Sequence, residues 1–215
     1  MTKKRLLSLT LAVGLALQLG AGLPAAGAAA APAPVVFSDV EHHWAKDWVG
    51  TIAARGLMHG TAPETFSPDT PITRATMVTV LYRLEGEPAV KTDAGYADTP
   101  ENAWYEKALA WATAEGLVEG YGNEEFRPHS CVTREQLAAM FYRYVGGHVK
   151  AVLPFPYEDR EDISAWSADA VYWAGQKKLL EGYPDGTLRP GGCVTRGEAA
   201  AFLCRFLAIL EETYP

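Results

Sequence analysis

The chain has 215 residues, with 26 acidic and 19 basic side chains, and its formal charge near neutral pH is −7. This balance makes nucleic acid a poor candidate partner, because a surface that binds nucleic acid needs a basic face. An anionic polymer is still compatible with the sequence, provided that local cationic pockets bind it. The three cysteines, Cys131, Cys193 and Cys204, are too few for a disulfide framework and leave at least one thiol unpaired, so we expect small buried side chains there.

The N-terminus has the pattern of a secretory signal peptide. A basic cluster at residues 3–5 precedes an apolar stretch at 6–23, and an Ala-rich segment follows. We predict a signal peptide over residues 1–30, with cleavage near Ala30. A retained membrane anchor is the alternative, since the apolar stretch nearly reaches the length of a membrane span. Cleavage leaves 16 basic and 26 acidic residues, a formal charge of −10, in an exported chain.

One sequence unit occurs three times after this leader, which is the sign of a repeat architecture. In each unit an Arg follows a Trp by 30 residues, and a Gly, a Phe or Leu, and a Pro recur between them. An Asp precedes each Trp. The aligned residues are Asp39, Asp98 and Asp159; Trp44, Trp104 and Trp166; Gly60, Gly120 and Gly182; and Arg74, Arg134 and Arg196. We place the repeats at residues 37–84, 96–145 and 157–210.

Each repeat predicts a helix, a turn-rich loop and a second helix. In the first repeat Trp44, Trp48 and Ile52 form an apolar stripe at helical spacing, and Met77 and Leu81 begin another. Two amphipathic helices in about 60 residues are only marginally stable alone, since a domain of that size buries little surface. We therefore predict an all-α fold in which the three helix-loop-helix repeats pack as one body with quasi-threefold character.

The ends and faces of the first helices carry further expectations. Gly56 and Gly116 are placed to end the helix in the left-handed conformation, whereas Lys178 takes that place in the third repeat and predicts a different end. The second tryptophan of each helix, at positions 48, 111 and 173, is expected in the core. The first, at positions 44, 104 and 166, begins a helix beside a polar loop and is expected to be partly exposed.

Each second helix begins with a Thr-Arg pair. Thr73, Thr133 and Thr195 fit the N-cap position, where a hydroxyl accepts a bond from a first-turn N–H. Gln136 and Glu198, three residues on, complete capping boxes in two repeats. Capping does not explain the Arg, because positive charge in the first turn is unfavourable by about 0.3–1 kcal/mol.

Two interpretations of Arg74, Arg134 and Arg196 are open. In one, each guanidinium pairs with a nearby carboxylate, such as one of the repeated aspartates. In the other, the Arg and the free N–H groups of the helix start form a site for a carboxylate or phosphate. The sequence does not decide between them.

The repeats resemble the S-layer homology (SLH) repeat over nearly the whole of residues 37–210. The resemblance rests on FSDV, HHWA, GLMHGTAPETFSP and ITRAT in the first repeat. It rests also on YADT, AWYE and GLVEGYGNEEFRPHSCVTREQ in the second, and on YEDR, AWSA and LLEGYPDGTLRPGGCVTRGE in the third. It implies a pseudo-trimer with a central helical bundle and grooves between adjacent repeats.

The resemblance also implies a ligand. Grooves of this family bind secondary cell wall polysaccharide, commonly bearing pyruvylated N-acetylmannosamine. The implied ligand of the pyruvate carboxylate is the motif arginine: Arg74, Arg134 and Arg196. The implied further groove contacts are Asp39, Asp98, Asp159, Trp44, Trp104 and Trp166.

The second repeat departs from the family motif beside its arginine. Glu135 stands where the other repeats have Ala75 and Gly197, and its charge is expected to compete with an anionic ligand at Arg134. We therefore predict that Arg74→Ala and Arg196→Ala weaken retention on the wall more than the corresponding change in the second repeat.

The leading hypothesis is a binding module for non-covalent attachment to the bacterial cell wall, with no cargo domain evident. A surface scaffold or adaptor for other proteins is the first alternative, and a wall-polysaccharide hydrolase is a weaker one. We expect no cofactor and no metal site, since His42 and His43 fit a plain loop better than a ligand pair. The predicted location is the cell wall or cell surface, with no membrane span after cleavage.

Overall fold

The computed structural model describes residues 36–90, 93–147 and 155–213. The predicted signal peptide and its cleavage site lie outside the described residues. The described ranges contain six α-helices and no β-strand, so the all-α prediction is confirmed. The helices are α1 Lys46–Ala54, α2 Arg74–Leu84, α3 Glu106–Ala114, α4 Arg134–Tyr144, α5 Ala168–Gln176 and α6 Arg196–Thr213.

The helices pack between repeats in a closed cycle. The second helix of each repeat lies against the first helix of the next, so that α2 packs on α3 and α4 packs on α5. The third repeat closes the cycle, because α6 packs on α1. Each repeat therefore covers the apolar face of its neighbour, which gives the quasi-threefold body predicted from the sequence.

A ring of backbone hydrogen bonds marks the pseudo-threefold axis. Ile72 N–H donates to Val194 O, Val194 N–H to Val132 O, and Val132 N–H to Ile72 O, at 2.9–3.0 Å. All three side chains are almost fully buried. The ring lies one residue before each Thr cap, so it sets the place where all three second helices begin.

The second helices form the buried centre of the molecule. Phe141 of α4 contacts Phe202 and Phe206 of α6, with ring centroids 4.8 and 4.7 Å apart. Val78 of α2 and Phe141 are both fully buried. The shared core holds the three repeats in one orientation, and the sites between repeats depend on it.

A disulfide joins Cys131 and Cys193, so the prediction of unpaired buried cysteines is wrong for these two positions. The two residues precede Val132 and Val194, which the axial ring brings together, and their Cα atoms are 5.7 Å apart. Such pairing cannot be deduced from three cysteines without knowing that the ring closes.

The third cysteine, Cys204, is free and half-buried. Its thiol donates to the Trp48 carbonyl oxygen over 3.6 Å, and burial raises its pKa to about 11. At neutral pH it is therefore a packed thiol rather than a nucleophile.

The first helices end in the same way in all three repeats. Gly56 and Gly116 have φ of 68° and 66°, and Lys178 has φ of 54°. The prediction of a different end in the third repeat is therefore wrong. The chain must reverse into the same loop in each repeat, and Lys178 accepts the left-handed conformation that glycine adopts without strain.

Candidate functional site

The arginine of each Thr-Arg pair connects its own repeat to the loop of the next. Arg74 is 4% exposed, and its Nε donates to Phe126 O and its Nη2 to Glu119 O, both at 2.8 Å. The guanidinium lies over the Phe126 ring at 4.2 Å. Burial lowers the pKa of Arg74, and the nearby Tyr121 offsets part of that effect.

The same connection recurs in the other two repeats. Arg134 donates through Nε to Leu188 O at 2.7 Å and through Nη2 to Glu181 O. Arg196 donates to Phe66 O at 2.8 Å and to His59 O at 2.6 Å. Arg196 therefore closes the cycle back to the first repeat. Pairing of the arginines with a nearby carboxylate, one of the two interpretations, is found at Arg134, whose Nη1 lies 3.6 Å from Glu198 Oε1, and no pairing with a repeated aspartate is found among the described residues.

The first-turn N–H groups of the second helices already have hydrogen-bond acceptors within the protein. Arg74 N–H donates to Ser130 O at 3.0 Å and Ala75 N–H to Pro128 O at 2.9 Å, and the next amide donates to the Thr73 hydroxyl. The other two repeats repeat this arrangement. The expectation of free helix-start N–H groups for an anion is therefore wrong. These amides hold neighbouring repeats together at a contact that we call the joint, and only the side chains of the helix start remain to face the groove.

The Thr caps are confirmed in all three repeats, and the two capping boxes are confirmed as well. Thr133 accepts from Gln136 N–H, and Gln136 Oε1 accepts from Thr133 N–H at 3.2 Å. Glu198 Oε2 accepts from Thr195 N–H at 2.8 Å in the same way. Their side-chain positions are thus fixed by the backbone.

The repeated aspartates hold the loops that the arginines reach. Asp98 accepts from Phe126 N–H at 2.8 Å and from Arg127 N–H at 2.6 Å. Arg127 has φ of 58°, and the carboxylate fixes this left-handed turn. Asp39 and Asp159 make the equivalent bonds.

Each loop is therefore held from two sides, by its own aspartate and by the arginine of the preceding repeat. Burial raises the pKa of Asp159, but the N–H donors of Leu188 and Arg189 outweigh burial and the pKa lies below its ordinary value. None of the three aspartates lines either groove described below.

All three repeats contribute to the first groove, which we call the Arg74 groove. Its cavity volume is about 260 Å³. Repeat 1 supplies Arg74, and repeat 3 supplies Trp166. Repeat 2 supplies Leu117, Val118, Glu119, Gly120, Tyr121, Gln136, Ala139, Met140 and Arg143. A buried cation, a tyrosine hydroxyl and an exposed indole thus meet in one groove.

The second groove, the Arg134 groove, is built in the same way and has a cavity volume of about 330 Å³. Repeat 2 supplies Arg134 and Leu137, and repeat 1 supplies Trp44. Repeat 3 supplies Leu179, Leu180, Glu181, Gly182, Tyr183, Val194, Glu198, Ala201, Phe202 and Arg205. The closed cycle of repeats is what places Trp44 beside residues more than 90 positions away in the sequence.

The third arginine and the third tryptophan do not share a cavity. Trp104 lines a cavity of about 390 Å³ between α2 and α3, together with Arg83, Glu87 and Lys107 among others. Arg196 is not among its lining residues. Within residues 36–90, 93–147 and 155–213, the Arg74 and Arg134 grooves each bring a Thr-Arg arginine and an exposed tryptophan into one cavity.

The two sets of tryptophans are separated as predicted. Trp44, Trp104 and Trp166 are 58%, 64% and 56% exposed. Trp111 and Trp173 are buried, and Trp48 is partly buried against the core. The exposed indoles offer flat apolar faces at the groove rims, which is the surface a sugar ring requires.

Glu135 does not face Arg134, and the reason given above for a weak second site is wrong. Its buried carboxylate accepts from Ser164 N–H and Oγ at 3.0 Å and from Ser167 Oγ at 2.7 Å. These serines flank Trp166, so Glu135 holds the segment that carries the indole of the Arg74 groove. The carboxylate facing Arg134 is Glu198, whose Oε1 lies 3.6 Å from Nη1.

Sequence reasoning missed a second arginine in each groove. Arg143 pairs with Glu119 at 3.1 Å in the first groove, and Arg205 pairs with Glu181 at 2.8 Å in the second. The signal was present, since an Arg stands nine positions after each Thr-Arg arginine, at 83, 143 and 205. Helical spacing puts it two and a half turns further along the same helix.

No cluster of His, Cys, Asp and Glu side chains suited to a metal ion occurs in the ranges that the structure describes. Within the same ranges, no helix has the length and apolar character that a membrane span requires.

Comparison with known families identifies the repeats. The S-layer homology domain family matches the chain three times, at residues 36–78, 95–138 and 156–200. These matches cover more than half of the chain. The chain therefore belongs to the S-layer homology family, as the repeated motifs predicted.

Individual relatives match through a small part of their own length. The exoglucanase XynX of Acetivibrio thermocellus is 27% identical over 79% of this chain and 16% of its own length. A cellulosome-anchoring protein of the same organism is 31% identical over 69% of this chain and 36% of its own. The surface-layer 125 kDa protein of Lysinibacillus sphaericus is 25% identical over 79% of this chain and 14% of its own length. The chain thus spans well under two thirds of the curated relatives it matches.

Proposed function

We propose that the chain attaches non-covalently to the bacterial cell wall by binding secondary cell wall polysaccharide in the Arg74 and Arg134 grooves. The observation that carries this proposal is the meeting of Arg74, Tyr121 and Trp166, which come from three different repeats, in one open groove. A cation and a hydroxyl bind polar and anionic groups of a sugar, and the indole packs against its apolar face.

The family and its surface-layer members put the chain at the cell surface, as predicted. The formal charge of −10 after the predicted cleavage argues against a general attraction for polyanions. Recognition by local grooves fits this charge better, because a buried arginine in a cavity is screened less than a surface charge.

We favour binding over hydrolysis. The enzyme relative XynX covers most of this chain but is matched over only 16% of its own length, which fits a shared attachment segment rather than a shared catalytic one. The cellulosome-anchoring relative supports a further role as an adaptor that holds another surface protein. Whether the chain acts as an attachment segment or as an adaptor, the wall polymer is bound as a ligand and is not hydrolysed.

Sedimentation with purified sacculi tests the proposal. The chain is expected to pellet with sacculi, to remain in solution once the secondary polymer has been chemically removed, and to release no sugar product. Unchanged sedimentation with stripped sacculi would defeat the proposal and favour a protein partner. Release of soluble saccharide would favour a hydrolase.

Variants at the exposed indoles connect retention to the grooves. Trp166→Ala and Trp44→Ala are each expected to weaken retention about tenfold, the size of a hot-spot aromatic contact. Trp104→Ala is the matched control, because it removes an equally exposed indole from a cavity whose lining residues include Arg83 but no arginine of a Thr-Arg pair. Equal losses in all three variants would contradict the assignment to these two grooves.

A further inference from the structure

The ring of Tyr121 in the Arg74 groove contacts two guanidinium groups. The Cζ atom of Arg74, from the first repeat, lies 5.2 Å from the ring centre, and the Cζ atom of Arg127, from the tyrosine's own repeat, lies 4.1 Å from it. A guanidinium over an aromatic ring is attracted by the negative charge of the ring face. The closer contact is made by Arg127, which is not among the described residues that line the groove.

Arg127 is itself held at its backbone and at its side chain. Its N–H donates to Asp98 at 2.6 Å, and its φ is 58°. Its Nε donates to Glu125 Oε2 at 3.1 Å. The carboxylate balances the charge of the guanidinium and leaves its flat face on the ring. Arg127 therefore supports the tyrosine from outside the groove and adds no net charge to it.

The third repeat builds the same support from different neighbours. The Cζ atoms of Arg189 and Arg134 lie 4.0 and 4.9 Å from the centre of the Tyr183 ring in the Arg134 groove. Arg189 donates through Nη2 to Asp185 Oδ2 at 2.7 Å and through Nε to Thr187 Oγ1 at 3.2 Å. The two loops thus share the arginine and its contact with the ring, whereas the residues that anchor the guanidinium differ.

The first repeat lacks both members of this pair. Thr61 and Ser67 stand at the positions of the tyrosine and the loop arginine, and their hydroxyl oxygens lie 2.7 Å apart. The loop backbone is the same, because Thr61 N–H donates to Thr65 O at 2.8 Å as Tyr121 N–H donates to Glu125 O at 2.7 Å. The loop arginine therefore accompanies the tyrosine and is not required by the backbone of the loop.

We propose that Arg127 and Arg189 are positioning residues for the wall polymer, each of which holds the ring of its groove tyrosine. The held ring keeps the phenol hydroxyl in one place, where it accepts from Gln136 at 3.2 Å in one groove and donates to Glu198 at 3.0 Å in the other. A side chain that is ordered before binding costs less free energy to immobilise when the ligand arrives. This inference rests on the proposed function, since it concerns how the two grooves hold that ligand.

Indole N–H resonances of the ¹⁵N-labelled chain report on each groove, because Trp166 lines the first and Trp44 the second. They are assigned by replacing each Trp in turn with Phe. The probe is a saccharide fragment of the secondary polymer released from sacculi, too short to bridge both grooves. Arg127→Ala is expected to raise the half-saturating probe concentration at Trp166 about threefold, the equivalent of one exposed cation–π contact, and to leave Trp44 unchanged. Arg189→Ala is the matched control and is expected to do the reverse.

A double-mutant cycle separates support of the ring from direct contact with the saccharide. Tyr121→Thr installs the residue that the first repeat carries on the same loop backbone. In that background Arg127→Ala is expected to cause no further loss at Trp166, because the arginine acts only through the ring. In the original chain, Arg127→Lys is expected to lose less than Arg127→Ala, since the ammonium group still attracts the ring. Thermal unfolding midpoints close to that of the original chain are expected for every variant.

The outcomes separate this inference from the proposed function. An equal loss from Arg127→Ala with and without Tyr121 would overturn the inference, because the arginine would then contact the saccharide itself. An unchanged response at Trp166, or a marked fall in the unfolding midpoint of Arg127→Ala, would overturn it as well. Polymer-dependent sedimentation would still support the proposed function in each case. Sedimentation that does not depend on the polymer overturns the proposed function itself.

Discussion

The residues around the pseudo-threefold axis differ from the groove residues in how far the three repeats agree. At the axis, Ile72, Val132 and Val194 make the same hydrogen bond in a closed ring. In the grooves, the residue that follows the Thr cap by three positions is Gln136 in one and Glu198 in the other. The same repeat frame therefore supports both a uniform interior and two unlike surfaces.

The difference has a physical cause. Around the axis the first two amides of each second helix and the Nε and Nη2 groups of each motif arginine donate to carbonyls of another repeat, so a change in one repeat leaves buried groups of another unpaired. In the grooves the same frame ends in side chains that face solvent, and exchanging an amide for a carboxylate leaves the backbone bonds in place. The hydrogen bonds between repeats therefore require the motif arginine in all three repeats, whereas the solvent-facing positions of the grooves tolerate different residues.

The disulfide is expected to make the largest single contribution at the axis. It joins Cys131 and Cys193 across 62 residues, whereas Pro71 stands at the equivalent position of the first repeat. Closing a loop of this length stabilises the folded chain by about 4 kcal/mol in the chain-entropy account. Urea unfolding with and without reductant measures it, and reductant should lower the free energy of unfolding by that amount.

Two cysteine variants control the measurement. The double variant Cys131→Ser with Cys193→Ser should be insensitive to reductant, and Cys204→Ser should keep the full sensitivity. A free energy of unfolding that is the same in oxidised and reduced protein would contradict the contribution of the disulfide.

Removing a motif arginine is expected to have the next largest effect. Arg74→Ala leaves Phe126 O and Glu119 O without their donors, at a cost of about 3 kcal/mol in the free energy of unfolding. Arg160→Ala is the matched control, since its exposed guanidinium pairs with the neighbouring exposed Glu161 and its loss should change stability by less than about 0.5 kcal/mol. Equal unfolding free energies for the two variants would contradict the claim that the hydrogen bonds of Arg74 to the second repeat stabilise the fold.

Because these arginines also stabilise the fold, an arginine variant can lose retention on the wall through unfolding as well as through loss of a ligand contact. Retention is still predicted to fall more for Arg74→Ala than for Arg134→Ala, whereas Arg196 lines neither of the two grooves, so they give no reason to rank Arg196→Ala with Arg74→Ala. The reason now rests on Glu198, which already neutralises Arg134. The three variants must be compared at equal folded fraction, because each also opens a joint between repeats.

Much of the fold was predictable because it depends on local patterns. The Thr caps at 73, 133 and 195 and the exposed tryptophans follow from helical periodicity and capping rules applied to one repeat at a time. The arginine contacts were not predictable. Their partners are backbone carbonyls 45 and 52 residues away from Arg74, and a carbonyl carries no signal in the sequence.

Two of the errors share one cause. The pairing of Cys131 with Cys193 and the direction of Glu135 both depend on which repeat packs against which. That order is fixed by the closed cycle of helices and not by the content of any repeat.

Glu135 gives a smaller and more selective effect. Glu135→Ala removes three hydrogen bonds to Ser164 and Ser167 and should lower the free energy of unfolding by about 2 kcal/mol. It should also disturb the indole resonance of Trp166, which lies between the two serines. A change confined to the Trp44 resonance would instead support competition at Arg134.

The smallest expected effect is the loss, at low pH, of the hydrogen bonds to Asp185 in the loop of the third repeat, whose carbonyl groups accept from Arg134. The Thr187 hydroxyl and then the Arg189 guanidinium donate to Asp185, and they lower its pKa from 3.8 to about 2. Because the folded pKa is depressed, the bonds stabilise this loop at pH values above 3.8, and the contribution is lost as the pH falls towards about 2. The first repeat has Pro63-Glu64 and the second has Asn123-Glu124 in place of Asp185-Gly186, so the effect should be confined to the third loop.

Carboxyl ¹³C titration by NMR measures the Asp185 pKa directly. Thr187→Val should raise it more than Arg189→Ala does, because the threonine supplies the larger contribution. A carboxyl that titrates near 3.8 in the unsubstituted chain would show that neither bond persists in solution. The third loop would then still be held by Asp159 and Arg134, which are equivalent to Asp39 and Arg196 at the first loop, and the two grooves would still differ in Gln136 and Glu198.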